Sequence, residues 1–150
     1  MTLVVIGASA VDVTSRVKAD VHDRELQFSN TTTPGSVSLT LGGVARNVAE
    51  AAHRILSAAE HGDSDATLLL SPIGDDDFAN VLQHEHRLLN MREDGFIQLK
   101  GETTAVCNIF LNASGGLIGG VADMDIVRST PPEPVRVIFE HFTTIAHANS

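Results

Sequence analysis

Leu3-Val4-Val5-Ile6 is an unbroken aliphatic run closed by Gly7. A run of this length without polar alternation predicts a central strand covered on both faces rather than an amphipathic edge. Asp12 follows just beyond the C-terminal end of that strand, where open α/β sheets bind ligands. Ser36-Val37-Ser38-Leu39-Thr40-Leu41 alternates polar and apolar side chains after the turn residues Thr33-Pro34-Gly35, which predicts a half-exposed strand. Gly42-Gly43 breaks it. From Val44 to about Ala59 the period changes: Val44, Val48, Ala51, Ala52 and Ile55 recur at spacings of three and four, predicting a helix with Arg46 and Asn47 in its first turn.

The polar stretch His61-Gly62-Asp63-Ser64-Asp65 reads as a loop before a second buried strand, Ala66 to Leu70. Gly74-Asp75-Asp76-Asp77 then caps a helix running from Phe78 to Leu89 and closed by Asn90; acidic residues at a helix start complement its macrodipole. Thr103 to Leu111 and Leu117 to Val121 flank Asn112-Ala113-Ser114-Gly115-Gly116, the signature of an antiparallel hairpin. Pro131-Pro132-Glu133-Pro134 opens a last helix, and Ile145 begins a further strand a few residues before Ser150. A β-α unit is thereby left without its following strand.

With 150 residues and 43% hydrophobic content, the chain suffices for one domain with a real core. Ten basic residues stand against 19 acidic ones, a net charge of −9, and no Lys/Arg stripe could follow a phosphate backbone. Nucleic acid and anionic membrane are therefore excluded as expected partners. A small anionic substrate is not, because helix N-termini and turn amides bind phosphate without net positive charge. Cys107 is the single cysteine, so neither an intrachain disulfide nor a cysteine zinc site can form, and a reducing cytoplasm is the expected location. No stretch approaches the roughly 20 apolar residues of a membrane span. The opening run lacks the basic flank of a signal peptide.

Gly42-Gly43 immediately before a helix N-terminus allows close backbone approach to an oxygen-rich ligand, with Asn47 able to donate to and accept from neighbouring hydroxyls. An ordinary strand-to-helix turn with an exposed Asn has the same spacing, so spacing alone leaves both readings open. His84-Glu85-His86 offers metal-type ligands, but side chains at i and i+2 on a helix point about 200° apart. Asp75-Asp76-Asp77 reads as a capping cluster rather than a magnesium site. No metal site is expected. Cys107, on an alternating strand without a basic neighbour in sequence, reads as a packed thiol. Gly7-Ala8-Ser9-Ala10-Val11-Asp12 does not supply the Gly-x-Gly-x-x-Gly turn of a dinucleotide site.

The segment Leu41-Gly42-Gly43-Val44-Ala45-Arg46-Asn47-Val48-Ala49-Glu50-Ala51-Ala52 resembles the first signature of PfkB-type, ribokinase-like carbohydrate kinases in its Gly-Gly pair, its small residue two positions later, its Asn and its helical Ala. Gly7 through Asp12 resembles the family's first strand and sugar-contacting Asp, and Pro72-Ile73-Gly74-Asp75-Asp76 its next βα junction. Ala122-Asp123-Met124-Asp125-Ile126 is similar to the pseudouridine kinase branch, above all to fungal members often fused to a pseudouridine-5'-phosphate glycosidase. The resemblance implies an α/β fold: the N-terminal part of a ribokinase-like three-layer α/β/α domain with a small β lid, its strands near 11–18, 36–41 and 103–121. Residues 1–150 would be a partial domain, the substrate-binding half, with an incomplete sheet.

By that resemblance Asp12 holds sugar hydroxyls, Gly42 and Gly43 let the sugar lie against backbone, and Asn47 bonds a further hydroxyl. Asn108, on a lid strand, and Asp123, at the end of the hairpin, are further substrate candidates, with ordinary readings as a strand residue and a turn cap. Departures from the family pattern are Ala10 where many members carry Asn, Val44 where ribokinase-like members carry Lys, and Ala79 where a helix Gly is usual. They point away from ribose or fructose and toward a nucleoside. The Gly-Ala-Gly-Asp segment, whose amides form the anion hole and whose Asp is the base, is absent, so no catalytic residue is expected in this chain. The implied full-length protein is an ATP- and Mg²⁺-dependent kinase acting on the 5'-hydroxyl of pseudouridine. The fragment alone is expected to be inactive and to bind neither cofactor. The alternative is a non-catalytic nucleoside-binding or dimerisation module, pairing as a homodimer through its lid strands.

Overall fold

The structure, a computed structural model, describes residues 2–18, 32–59, 66–133, 135–137 and 140. The expected loop at 61–65 and the expected strand start at Ile145 lie outside the described residues. In chain order the elements are β1 (Leu3–Ile6), β2 (Ala10–Val17), β3 (Gly35–Gly42), α1 (Val44–Ala59), β4 (Thr67–Ile73), α2 (Asp77–Leu88), β5 (Phe96–Gln98), β6 (Val106–Leu111), β7 (Leu117–Asp123) and α3 (Ile126–Ser129).

These strands sort into two sheets. β1, β4 and β5 form a parallel sheet in the order β1-β4-β5. β3, β2, β6 and β7 form a second sheet in that order, in which β2 and β6 run parallel and the outer pairs antiparallel. This is the mixed α/β architecture that the sequence predicts.

β4 is buried along its whole length and is the centre of the parallel sheet. Leu69 packs with Ala45 and Ala49 of α1, while Ile73 packs with Ala79 and Leu82 of α2 and with Val11 of β2. Leu68 and Leu70, which alternate to the opposite face, are buried as well. β1, in contrast to the expectation of a central strand, pairs on one side only among the described residues, with Leu3 and Ile6 exposed. An aliphatic run signals apolar surroundings but not the number of neighbours.

The sequence ends the second buried strand at Leu70, yet β4 continues through Ser71-Pro72 to Ile73. The residues flanking Pro72 carry the connection: Ser71 N–H donates to the Gly95 carbonyl at 3.1 Å, and the Ile73 carbonyl accepts from Leu99 N–H at 2.9 Å. The missing proline N–H therefore breaks neither bond.

The limits of α1 match the expected helix, but its apolar stripe does not coincide with its buried face. Ala45, Arg46, Ala49 and His53 are buried, whereas Val44, Val48 and Ile55 are exposed. Polar side chains occupy the buried face because each finds a partner there: Arg46 pairs with Glu50, and the His53 ring bonds the Leu89 carbonyl at 3.1 Å. The predicted hairpin is present as β6 and β7, and helical residues occur at 132–133 and 135–137. Among the described residues no helix is long and apolar enough to cross a membrane.

Candidate functional site

Asp12 lies beyond the C-terminal end of β1, as the third residue of β2. Its neighbours in register are Thr40 on β3 and Cys107 on β6, and Cys107 in turn pairs with Ala122 on β7. Side chains paired across a sheet share a face, so Thr40, Asp12, Cys107 and Ala122 form one row across all four strands. Ala10 and Gly42, two residues along, are a pair on this same face.

Gly42 is required by Asp12. A Cβ at position 42 would lie 2.5 Å from Asp12 Oδ2 and 2.7 Å from its Oδ1, so any side chain there would displace the carboxylate. Gly43 adopts a φ of +92°, open to glycine at little cost, and a Cβ there would lie 2.4 Å from the Ala8 carbonyl oxygen and 2.8 Å from Ser9 Cα. The pair thus turns β3 directly into α1 while pressing the helix start against the β1–β2 connection. Arg46 N–H donates to the Ala8 carbonyl at 3.4 Å and Asn47 N–H to the Gly43 carbonyl at 3.0 Å, opening the first turn.

Asn47 is exposed on that first turn. Its Oδ1 accepts from Arg46 Nη1 at 3.2 Å. Arg46 is held from behind by Glu50, at 2.5 Å from Nη2 to Oε2, and Glu50 is held in turn by Arg54 at 2.6 Å. Burial alone would raise the Glu50 carboxyl; the hydrogen bond from Arg54 and the charges of Arg46 and Arg54 outweigh it and keep the group below its ordinary value.

The structure gathers Asp12, Gly42, Gly43 and Asn47 around one strand-to-helix turn, and does not bring Asn108 and Asp123 to them. Asn108 shares a row with Leu39, Val13 and Val121, and Asp123 shares one with Val106, Val11 and Leu41. Both rows face opposite to Asp12, the face on which Val11 enters the core with Ile73 and Leu82. Asn108 Oδ1 is buried there without a hydrogen-bond partner. Thr40 and Cys107 instead share the face of Asp12. Sequence alternation alone could not find them, because the parallel pairing of β2 with β6 joins segments far apart in the chain.

Elsewhere, His84 is exposed while His86 is buried, so the two rings point apart. Asp76 caps α2 by accepting from Ala79 N–H at 2.9 Å. Among the described residues no group of three or more His, Cys, Asp and Glu side chains is placed to hold a metal ion.

Known proteins are similar to this chain in sequence and in fold. The pattern of the pfkB family carbohydrate kinases matches residues 2–123. A pseudouridine kinase from Arabidopsis thaliana is 30% identical over 129 residues, which are 86% of this chain and 30% of that one. A candidate sugar kinase from Clostridium perfringens superposes with a TM-score of 0.72 at 27% identity, over 93% of this chain and 40% of that one. The ribokinase of Giardia lamblia superposes with a TM-score of 0.70 at 22% identity, over 90% and 39% of the two chains, a likeness of fold. This chain thus spans 30% to 40% of the length of these relatives. On the match across residues 2–123, the chain belongs to the pfkB family of carbohydrate kinases.

Proposed function

We propose that this chain is the acceptor-binding half of an ATP-dependent kinase whose substrate is a nucleoside, pseudouridine, phosphorylated on its 5'-hydroxyl. The observation that carries this reading is the Asp12 carboxylate seated against the bare Cα of Gly42, beside a glycine turn that opens a helix. A carboxylate accepts hydrogen bonds from two vicinal hydroxyls, and backbone without Cβ atoms lets a sugar ring lie close to it. Asn47 supplies a further polar contact from the same turn. The 30% identity to a pseudouridine kinase supports the nucleoside over a simple sugar.

In this reading ATP and its Mg²⁺ are held by parts of the protein other than the described residues, which act on the acceptor. Binding and orienting the acceptor hydroxyl is a large part of phosphoryl transfer, since positioning and charge stabilisation dominate that chemistry. The protein works in the reducing cytoplasm, and its product is of the kind a fused glycosidase domain would consume.

The test is an acceptor screen with ATP on the full-length protein that carries this segment, offering pseudouridine, uridine, ribose and fructose. Pseudouridine should give the highest kcat/KM, and Asp12→Ala should lower it by about 10²-fold or more. Preference for ribose or fructose would overturn the nucleoside assignment, and no phosphorylated product from any acceptor would overturn the kinase reading.

A second reading, a non-catalytic module that binds nucleoside or pairs with a second copy through the four-stranded sheet, is favoured by one observation. Val37, Leu39 and Val121 are exposed apolar side chains on the face opposite Asp12. Dimerisation that persists when Asp12 is replaced, with nucleoside binding but no turnover, would favour it.

A further inference from the structure

Arg46 is 7% exposed and lies in the first turn of α1, where the helix dipole disfavours a cation and no acidic residue shares the turn; its ion-pair partner is Glu50, a turn further on. Its Nε is buried without a hydrogen-bond partner. A guanidinium so placed costs stability, and burying a long polar side chain there gains little that an aliphatic one would not supply. What the guanidinium does contribute is a fixed donor beside Asn47.

Arginine can only donate hydrogen bonds, so the side-chain atom of Asn47 that meets Arg46 Nη1 at 3.2 Å is the oxygen. The Asn47 Nδ2 amide is therefore turned away from the guanidinium. Glu50 and Arg54 hold the guanidinium in place through contacts of 2.5 Å and 2.6 Å. An unrestrained Asn would sample both amide orientations, presenting an acceptor as often as a donor.

We propose that Arg46 is a positioning residue: the Arg54–Glu50–Arg46 chain locks the Asn47 amide so that Asn47 presents its N–H₂ group, and not its carbonyl, to a hydroxyl oxygen of the acceptor. This rests on the reading of Asn47 as an acceptor-binding residue of a nucleoside kinase. Arg46 touches no substrate and acts only through Asn47.

The test is a double-mutant cycle in the full-length protein with Arg46→Met, Arg46→Lys, Asn47→Ala and the Arg46→Met/Asn47→Ala pair, reading KM for the nucleoside and for ATP separately. Arg46→Met should raise nucleoside KM about tenfold and leave ATP KM within about twofold. Arg46→Lys, which keeps a cationic donor group but not the planar fork, should recover part of the loss. In the Asn47→Ala background Arg46→Met should have no further effect; an undiminished loss there, the mark of a merely structural role, overturns the proposal. The contact is also read without turnover: the two Asn47 side-chain amide proton shifts in a ¹⁵N–¹H spectrum should move on Arg46→Met, and unmoved shifts overturn the proposal whatever the activity. Wild-type protein that phosphorylates no nucleoside, with the shifts still moving, overturns the kinase reading and the acceptor role with it.

Discussion

The imidazole of His86 has no exposed surface and lies 4.7 Å from the Phe96 ring, centroid to centroid. Burial pushes its pKa down from 6.5 to about 4; the Arg92 carbonyl opposes the shift, and the charges of Arg46, Glu50 and His53 contribute less. Between those two values the unfolded chain binds a proton that the folded chain excludes. His86 is therefore neutral and harmless to the fold above pH 6.5, and stability falls as pH drops toward 4, by up to about 3 kcal/mol. Urea unfolding at about pH 7.5 and about pH 5 should show a loss larger by about 2 kcal/mol in the natural chain than in His86→Leu. Equal losses in the two proteins would mean that His86 is not the acid-sensitive group. The spacing in His84-Glu85-His86 already separates the two rings, so that much was legible. Which ring enters the core was not, because it depends on how α2 meets Phe96. Gly42-Gly43 was legible for the converse reason: only glycine tolerates the approach of Asp12 and the φ of +92°, so the demand is written in the residue type. Arg46 hid because arginine ordinarily faces solvent.

Asp76 joins two elements that the sequence treats separately. Besides capping α2 at Ala79 N–H, it accepts from Thr104 N–H at 2.8 Å and from Thr104 Oγ1 at 2.6 Å, while Thr104 Oγ1 accepts from Gly74 N–H at 2.9 Å. The start of α2 is thus tied to the segment leading into β6, and through β6 to the strand that carries Asp12. Burial alone would raise the Asp76 carboxyl, but the hydrogen bonds from Thr104, Ala79 and the Thr104 amide outweigh it and lower the pKa below 3.8. A lowered carboxyl stabilises the fold at neutral pH, and that contribution is lost only as pH falls through the folded-state pKa. Asp76→Ala should cost about 2 kcal/mol in denaturant unfolding, with Asp76→Asn costing less because its amide oxygen still accepts. A cost for Asp76→Ala below about 0.5 kcal/mol would show that the tie to Thr104 contributes nothing beyond the solvent it replaces. The acidic cap was legible from Gly74-Asp75-Asp76-Asp77, and its reach to Thr104 was not. β5 and α3 escaped the sequence reading because three and four residues are too few to display a period.

Across the whole molecule, large apolar side chains remain exposed among the described residues, with one group on the four-stranded sheet and another on α1. Val37 (71% exposed), Leu39 (54%) and Val121 (70%) lie on the face of the four-stranded sheet opposite Asp12. Val44 (82%), Val48 (51%) and Ile55 (69%) line α1. Exposed apolar side chains on one face or one helix favour association when enough of them act together. The net charge of −9 opposes association at low ionic strength, but near-physiological salt screens it beyond about 8 Å. The purified 150-residue chain should therefore self-associate in sedimentation velocity runs, more strongly as concentration and salt rise. Polar replacements identify the surface responsible. If Val37→Thr/Leu39→Thr/Val121→Thr abolishes association, the sheet face pairs with a second copy, as the non-catalytic reading requires. If Val44→Gln/Ile55→Gln abolishes it instead, the exposed stripe of α1 is the surface through which two copies meet. A chain that stays monomeric at every concentration and salt would refute both attributions, because neither surface would then be apolar enough to draw two copies together.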